Sequence, residues 1–362
     1  MGPEYFCDRE NETDVLVRNF INGVNTTLHA VMRMGKTGLI RHVFTKIEQE
    51  KTGKCLYLDI LPTQCQQDFT EVLAAAIYKA FPSSDSWGAR FLDFIKAFNP
   101  RIGFDPLTGQ PEFAFTFHEQ KQQEQSVRAL FEFLDNQGVK LLIAIDEFQQ
   151  ILNYPEKNTE ALLRSIIQDL HYINFIFSRS NQHLIAMIFN HAGRPFFSST
   201  QFLSLTPIDR SAYTDFIKYH FVLAEKSIAE DAIAFLLEWT RTHTYYTQVV
   251  CNRLFVFTHV SMEQVKEACI SLLQEQEQVF YQYRQLLTGP QWKLLWAIAQ
   301  EEKVYQITSG SFIGRYSLGT APTVKRSLEA LLTKEMIYRQ NDGSGSYYQV
   351  YDCFLSRWLE QY

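Results

Sequence analysis

Apolar positions along the chain alternate between short β-rich runs and longer stretches at helical spacing. From Thr13 to about Asn22 the run VLVRNFIN has helical spacing; TTLHAV then reads as a strand, followed by a turn and by LIRHVFTKIEQEK, helical again. CLYLDIL is a compact β-rich run ending at Pro62, and DFTEVLAAAIYKAF predicts an amphipathic helix. VKLLIAIDEF is apolar almost throughout, as a strand covered by helices on both faces would be. INFIFS and FLSL are two further β-rich runs, separated by a helical segment, HLIAMIF. Strands alternating with helices predict a mostly parallel sheet in an α/β layer.

Two stretches depart from this rhythm. Between Pro82 and His118 aromatics alternate around a Pro/Gly turn (RIGFDP, LTG, QPEFAFTF), which predicts an inserted β-hairpin at about 100–118 with its aromatics forming a small satellite core. After Pro207 the pattern is purely helical up to about residue 287. From Thr288 onward two short helices, a third opened by Thr320 as N-cap, a hairpin around Asp342-Gly343-Ser344-Gly345 and a last helix, FLSRWLEQY, predict a winged helix-turn-helix. The expected domains are therefore 1–206, 207–287 and 288–362, in line with roughly one domain per 150 residues.

Composition narrows the classes. Of 362 residues 46% are hydrophobic and 20% charged, and no window approaches the roughly 18 uninterrupted apolar residues of a membrane span. The opening MGPEYFCDRENETD is too acidic for a secretory signal, so a cytoplasmic address is expected. Six cysteines without a C-x-x-C pair suggest buried, reduced thiols, neither a disulfide scaffold nor a zinc site. With 34 Lys+Arg against 40 Asp+Glu the net charge is −6, so nucleic-acid binding would need a local basic patch. No G-x-S-x-G or G-x-G-x-x-G occurs, which disfavours an α/β-hydrolase and a dinucleotide oxidoreductase.

The sharpest local signal is Ala30-Val31-Met32-Arg33-Met34-Gly35-Lys36-Thr37, between a strand and a helix. It matches G-x-x-x-x-G-K-[ST] with Ala30 in place of the first glycine. Backbone N–H groups of such a loop, from Arg33 through Gly38, cradle phosphate; Lys36 reaches the β/γ oxygens, and the Thr37 hydroxyl serves Mg²⁺. Far downstream, LLIAIDEF sets Asp146 and Glu147 at the C-terminal end of the most apolar strand, the edge where ligands bind in parallel sheets. There Asp146 would hold the Mg²⁺ shell and Glu147 would polarise an attacking water.

With these motifs in place the sequence resembles the archaeal-type ATPases of the AAA+ superfamily, in the branch related to STAND signalling ATPases and Orc/Cdc6 origin-binding proteins. The resemblance opens at Phe6-Cys7-Asp8-Arg9-Glu10-Asn11-Glu12, similar to the family's F-x-x-R-E-x-E. It runs on through the phosphate loop, the strand ending at Asp59, AIDEFQQI, SRSNQHLIAMIFNHAGRPFFSST, HTYYTQVVCN and the winged-helix tail. It implies a P-loop NTPase fold with helices on both faces of the sheet, a helical lid, and ATP or ADP with Mg²⁺ as cofactors. It also implies that Arg9 packs near the adenine and that the strand end at Ser178 to Ser180 carries a polar sensor, with Arg179 where a Gly-Ser pair is more usual. Arg194 falls in the arginine-finger region. His243 falls where relatives sense nucleotide from the helical domain, with Thr242 and Thr244 replacing the usual small residue and proline.

The winged helix carries five basic residues between Arg315 and Arg339 (Arg315, Lys325, Arg326, Lys334, Arg339) against Glu329 and Glu335. Lys325 and Arg326 lie on the helix that would enter a major groove, with Tyr347 and Tyr348 in the wing. The expectation is an ATP-driven conformational switch whose output is double-stranded DNA, a homo-oligomer or a separately encoded effector. The alternative is a DNA-binding regulator or scaffold that holds ADP without turnover.

Overall fold

The structure, a computed structural model, describes residues 6–81, 86–104, 106, 111–179, 188–189 and 192–361. The chain divides into two compact units, Met1–Thr206 and Pro207–Tyr362. The first comprises α1 (Glu10–Ile21), β1 (Thr26–His29), α2 (Lys36–Gln49), β2 (Lys54–Asp59), α3 (Gln66–Ala80), α4 (Ser86–Ile95), β3 (Arg101–Phe104), β4 (Pro111–Ala114), α5 (Gln120–Asp135), β5 (Leu141–Asp146), α6 (Thr159–Asp169), β6 (Ile173–Arg179) and β7 (Gln201–Ser204).

β1, β2, β5, β6 and β7 form one parallel sheet in the order β2-β5-β6-β1-β7. β1 and β5 are buried at every position, which is why their sequences lack the alternation of a half-exposed strand. Close approach at the start of β2 requires Gly53: a Cβ there would stand 2.5 Å from the Phe20 ring and 2.8 Å from the Lys140 carbonyl. Beneath the C-terminal edge lies a phenylalanine cluster in which the Phe148 ring packs 4.5 Å from Phe177 and 5.4 Å from Phe196.

The 82–118 insertion differs from its sequence reading. β3 and β4 pair antiparallel as expected, but α4 precedes them. The hairpin splits by strand: Phe113 of β4 is buried against Phe91, while Ile102 and Phe104 of β3 are exposed. Most of HLIAMIF lies outside the described residues; Ile188 and Phe189 within it are buried.

The second unit comprises α7 (Arg210–Leu223), β8 (Ser227–Ile228), α8 (Glu230–Trp239), α9 (Thr244–Leu254), β9 (His259–Val260), α10 (Met262–Leu286), α11 (Gly289–Glu301), α12 (Gly310–Arg315), α13 (Ala321–Thr333), β10 (Ile337–Asp342), β11 (Gly345–Val350) and α14 (Cys353–Leu359). Asp209 caps α7 through the Ser211 and Ala212 amides. Capping boxes at Ser261/Gln264 and Thr288/Gln291 start α10 and α11. Thr320 stands at the N-cap of α13, but its hydroxyl meets Thr323 Oγ1 at 3.0 Å instead of a backbone amide. β10 and β11 pair antiparallel as the wing. Among the described residues no helix is long and apolar enough to cross a membrane, and all six cysteines are free.

Candidate functional site

The sheet register sets the site. β5 and β6 pair up to Ile145 with Phe177, and the next residues on each are Asp146 and Ser178; on the other side Ser178 pairs with Leu28 of β1. β2 pairs Asp59 with Asp146. The C-terminal ends of β1, β6, β5 and β2 therefore form one edge, from which the loop after β1 leads into α2.

Within that loop the left-handed positions are Arg33 (φ 62°) and Gly35 (φ 93°). Gly35 is the N-cap of α2, and a Cβ there would meet nothing within 4 Å, so the glycine serves the backbone turn. Ala30 is not in the left-handed region, which removes the conformational need for a glycine at the first motif position. Met34 is buried, while Arg33 is exposed and Gly38 half-buried. The first amides of α2 face the loop with the positive end of the helix behind them.

Lys36 is buried, its Nζ donating to the Ala30 carbonyl at 3.4 Å. Burial lowers its pKa below the ordinary 10.5, and nearby Glu147 and Asp146 partly offset that. Thr37 Oγ1 donates to Asp146 Oδ2 at 3.2 Å, and the Glu147 amide to Asp146 Oδ1 at 3.1 Å. The structure thus brings Lys36, Thr37, Asp146 and Glu147 together from two distant segments. Glu147 itself is left-handed (φ 55°, ψ 40°), a conformation that costs a non-glycine residue of order 1 kcal/mol and collects at functional sites. The turn is held from behind by Phe148 in the aromatic cluster and by Gln150 Nε2, which donates to the Thr63 carbonyl at 2.7 Å.

Two site residues escaped the sequence reading. Tyr57 of β2 donates its phenol to Asp146 Oδ2 at 2.5 Å, and Gln149 Nε2 donates to Glu147 Oε2 at 2.5 Å. Tyr57 reads simply as a strand residue, and Gln149, with Phe148 and Gln150, as packing and capping. The one available signal was position: Gln149 lies two residues past the key carboxylate.

The remaining candidates sit as follows. Ser178 is fully buried, and its hydroxyl has no hydrogen-bond partner among the described residues. The Arg179 side chain and Ser180 lie outside the described residues. Arg9 is left-handed and buried, its guanidinium bonded to Glu12 Oε1 at 2.8 Å and to the Thr206 carbonyl at 2.6 Å. Arg194 pairs with Glu160 at the start of α6 at 3.3 Å; burial raises the Glu160 pKa and Arg194 only partly restores it. His243, Lys325 and Arg326 belong to the second unit. His243 is the N-cap of α9, follows two left-handed residues, Arg241 and Thr242, and packs 4.6 Å from the Tyr246 ring. Lys325 and Arg326 are exposed on α13 opposite its buried Val324, Leu328 and Leu331. Tyr347 is buried with Lys303 over its ring, and Tyr348 carries Arg339.

These residues fit a nucleotide phosphate with a hard divalent cation. The fit rests on a buried ammonium, a hydroxyl and a carboxylate converging at one sheet edge, an orphaned buried hydroxyl beside them, and a helix N-terminus without a side-chain cap.

Residues 278–361 match the family model described as a probable winged helix domain. No curated protein sequence is significantly similar to the chain. Among solved structures, the Walker-type ATPase PABY2304 of Pyrococcus abyssi superposes with a TM-score of 0.66 at 18% identity, covering 99% of this chain and 97% of that one. The ORC2 protein of Aeropyrum pernix, solved as ADPNP and ADP complexes, gives 0.58 at 14% identity over 99% and 95%. The ORC1 protein of the same organism, solved in complex with DNA, gives 0.51 at 14% over 99% and 94%. At these identities the likeness is one of fold: the chain has the P-loop NTPase fold of the archaeal Orc/Cdc6-type AAA+ proteins and ends in a winged helix.

Proposed function

We propose that the chain is an AAA+/STAND-like ATPase that binds ATP with Mg²⁺ and works as a nucleotide-driven conformational switch in the cytoplasm. The observation that carries this reading is the convergence of Lys36, Thr37 and Asp146, with Glu147 held in a strained turn beside them.

Mg²⁺, when bound, would supply the charge that neutralises the transferred phosphoryl group, held by Thr37 and Asp146. The protein's own groups do the rest. The Arg33–Gly38 backbone and Lys36 bind the phosphates, and Lys36 exchanges a desolvated pocket for an anionic partner. Glu147 orients a water and accepts its proton. Ser178 would offer its hydroxyl as the polar sensor, and Arg9 would border the base. Arg194 would reach a developing negative charge after leaving Glu160, in this chain or in a second copy, and His243 would report nucleotide state from the second unit. Contacts to a terminal phosphate exist only before cleavage, so hydrolysis changes which conformation is favoured. The output is duplex DNA through α13, a reading supported by the winged-helix match and by the DNA complex of the ORC1 protein.

One observation favours the second reading, a scaffold holding ADP without turnover: Gln149 occupies a Glu147 oxygen. Phosphate release with Mg²⁺-ATP, measured for the wild type and Glu147→Gln, separates the two. The switch reading expects release that the substitution lowers by at least 10²-fold while nucleotide stays bound. Absence of any release that Glu147→Gln removes gives the scaffold reading.

A further inference from the structure

Asp146 is the best-supplied carboxylate of the site. Oδ1 accepts from the Glu147 amide, and Oδ2 accepts from both the Thr37 hydroxyl and the Tyr57 phenol. The tyrosine makes the shortest of the three contacts, 2.5 Å, within the range of charge-assisted O–H···O⁻ bonds. Its route is set by register. Tyr57 pairs with Ala144, so phenol and carboxylate start two residues apart along one sheet face, roughly 6.6 Å, and the buried alanine between them leaves room for the ring. On its outer side the ring is covered by the Arg41 guanidinium of α2, 5.7 Å from its centre. The ring is thus pinned between strand and helix, and its hydroxyl is aimed at the oxygen that also faces Thr37.

We propose that Tyr57 is a positioning residue for the divalent cation: its phenol fixes the Asp146 carboxylate in the orientation in which, together with Thr37, it receives Mg²⁺. The inference rests on the nucleotide–metal reading above and adds to it a group outside the phosphate loop and the Asp-Glu pair. Tyr57 does not touch nucleotide; it acts through Asp146. Burial, and then the bond to Asp146, push its pKa well above the ordinary 10, so the phenol remains a donor at any working pH. Partners of this kind typically govern 10- to 100-fold in metal affinity.

The test uses the full chain, MgCl₂ and a fluorescent ATP analogue, and reads nucleotide affinity instead of turnover. Affinity is measured in EDTA and along a Mg²⁺ titration for the wild type, Tyr57→Phe, Asp146→Asn and the double variant. Tyr57→Phe should move the Mg²⁺ midpoint upward by about 10-fold while leaving the affinity in EDTA in place. In the Asp146→Asn background it should add nothing. An unchanged or lower Mg²⁺ midpoint in Tyr57→Phe overturns the proposal, the lower one showing that the phenol competes with the cation. Loss of affinity in EDTA as well overturns it in favour of a general structural role. A wild type whose nucleotide affinity is indifferent to Mg²⁺ overturns the nucleotide–metal reading and this inference together; a Mg²⁺-responsive wild type with an unresponsive substitution overturns the tyrosine alone.

Discussion

At Lys36 burial and function pull in opposite directions. Its pKa lies below 10.5 because desolvation outweighs the attraction of Glu147 and Asp146. For a base with a lowered folded-state pKa, the cost to stability is fully present while the group is charged in both states. It is relieved only as pH rises through the folded-state pKa toward 10.5, so at neutral pH the empty chain bears it in full. Lys36→Met keeps the stem and removes the charge. Asp146 retains Tyr57 and Thr37, and Glu147 retains Gln149. The variant should gain on the order of 1 kcal/mol, a rise of about 2–4 °C in melting temperature, and, on the proposed function, lack the further rise that Mg²⁺-ATP should give the wild type. Thermal melts with and without nucleotide check both halves, and a variant that is less stable yet still raised by ATP contradicts the account. Lys36, Thr37, Asp146 and Glu147 were legible in the sequence because each motif is contiguous and its chemistry local. Tyr57 and Gln149 were not. Tyr57 meets Asp146 only through the β2–β5 register, and Gln149 reaches Glu147 only because the left-handed turn folds it back.

Among elements, those with strict periodicity and clear breakers were legible: the parallel strands, the wing and most helices. α4 was obscured by its neighbourhood, since the aromatic alternation that follows it draws the whole 82–118 stretch toward β. Charge counting on the winged helix was also coarser than the structure. Arg315 is paired with Glu301, and Arg339 is committed to Ser346 and the Tyr348 ring. The exposed cations left on α13 are Lys325 and Arg326. If α13 faces DNA, duplex binding by the wild type should weaken with salt, and reversing both residues to Glu should weaken it further and cut the log–log salt slope by about 2. Fluorescence anisotropy on a labelled duplex across a salt series measures both. Binding with an unaltered slope after the reversal excludes this helix as the reader.

At the scale of the whole second unit, where periodicity suggests two segments, the helical part and the winged helix are joined by buried aromatic contacts, Tyr246 to Phe354 at 4.7 Å and Phe280 to Trp358 at 5.5 Å, and by an ionic network. Arg241, left-handed and immediately before Thr242 and His243, bonds Glu302 at 2.9 Å and the Ser356 hydroxyl at 2.8 Å, and pairs with Glu360 at 3.5 Å. Arg357 of α14 adds bonds to Glu302 at 3.0 Å and Glu360 at 2.9 Å. Glu302 is therefore the shared acceptor of two arginines from different segments. Burial pushes its pKa up, but Arg241 and Arg357 outweigh that and hold it below the ordinary 4.5. A carboxyl with a lowered folded-state pKa contributes stability that is present above 4.5 and lost as pH falls through its folded-state value. Acid should therefore loosen the loop that carries His243 and its tie to the winged helix in one step, below about pH 4.5. Glu302→Gln should cost about 2 kcal/mol at pH 7, a moderate value because the carboxylate is half exposed and Glu360 still serves both arginines. The cost should shrink as pH falls through the folded-state value of Glu302, which lies below 4.5, because the wild type loses the same charge there. Denaturant melts of the full chain at pH 7, 5 and 3 read this. A loss that does not shrink as pH falls would mean that Glu302 acts by packing, the Arg241–His243 loop still being tied to the last helix through Glu360 and Ser356.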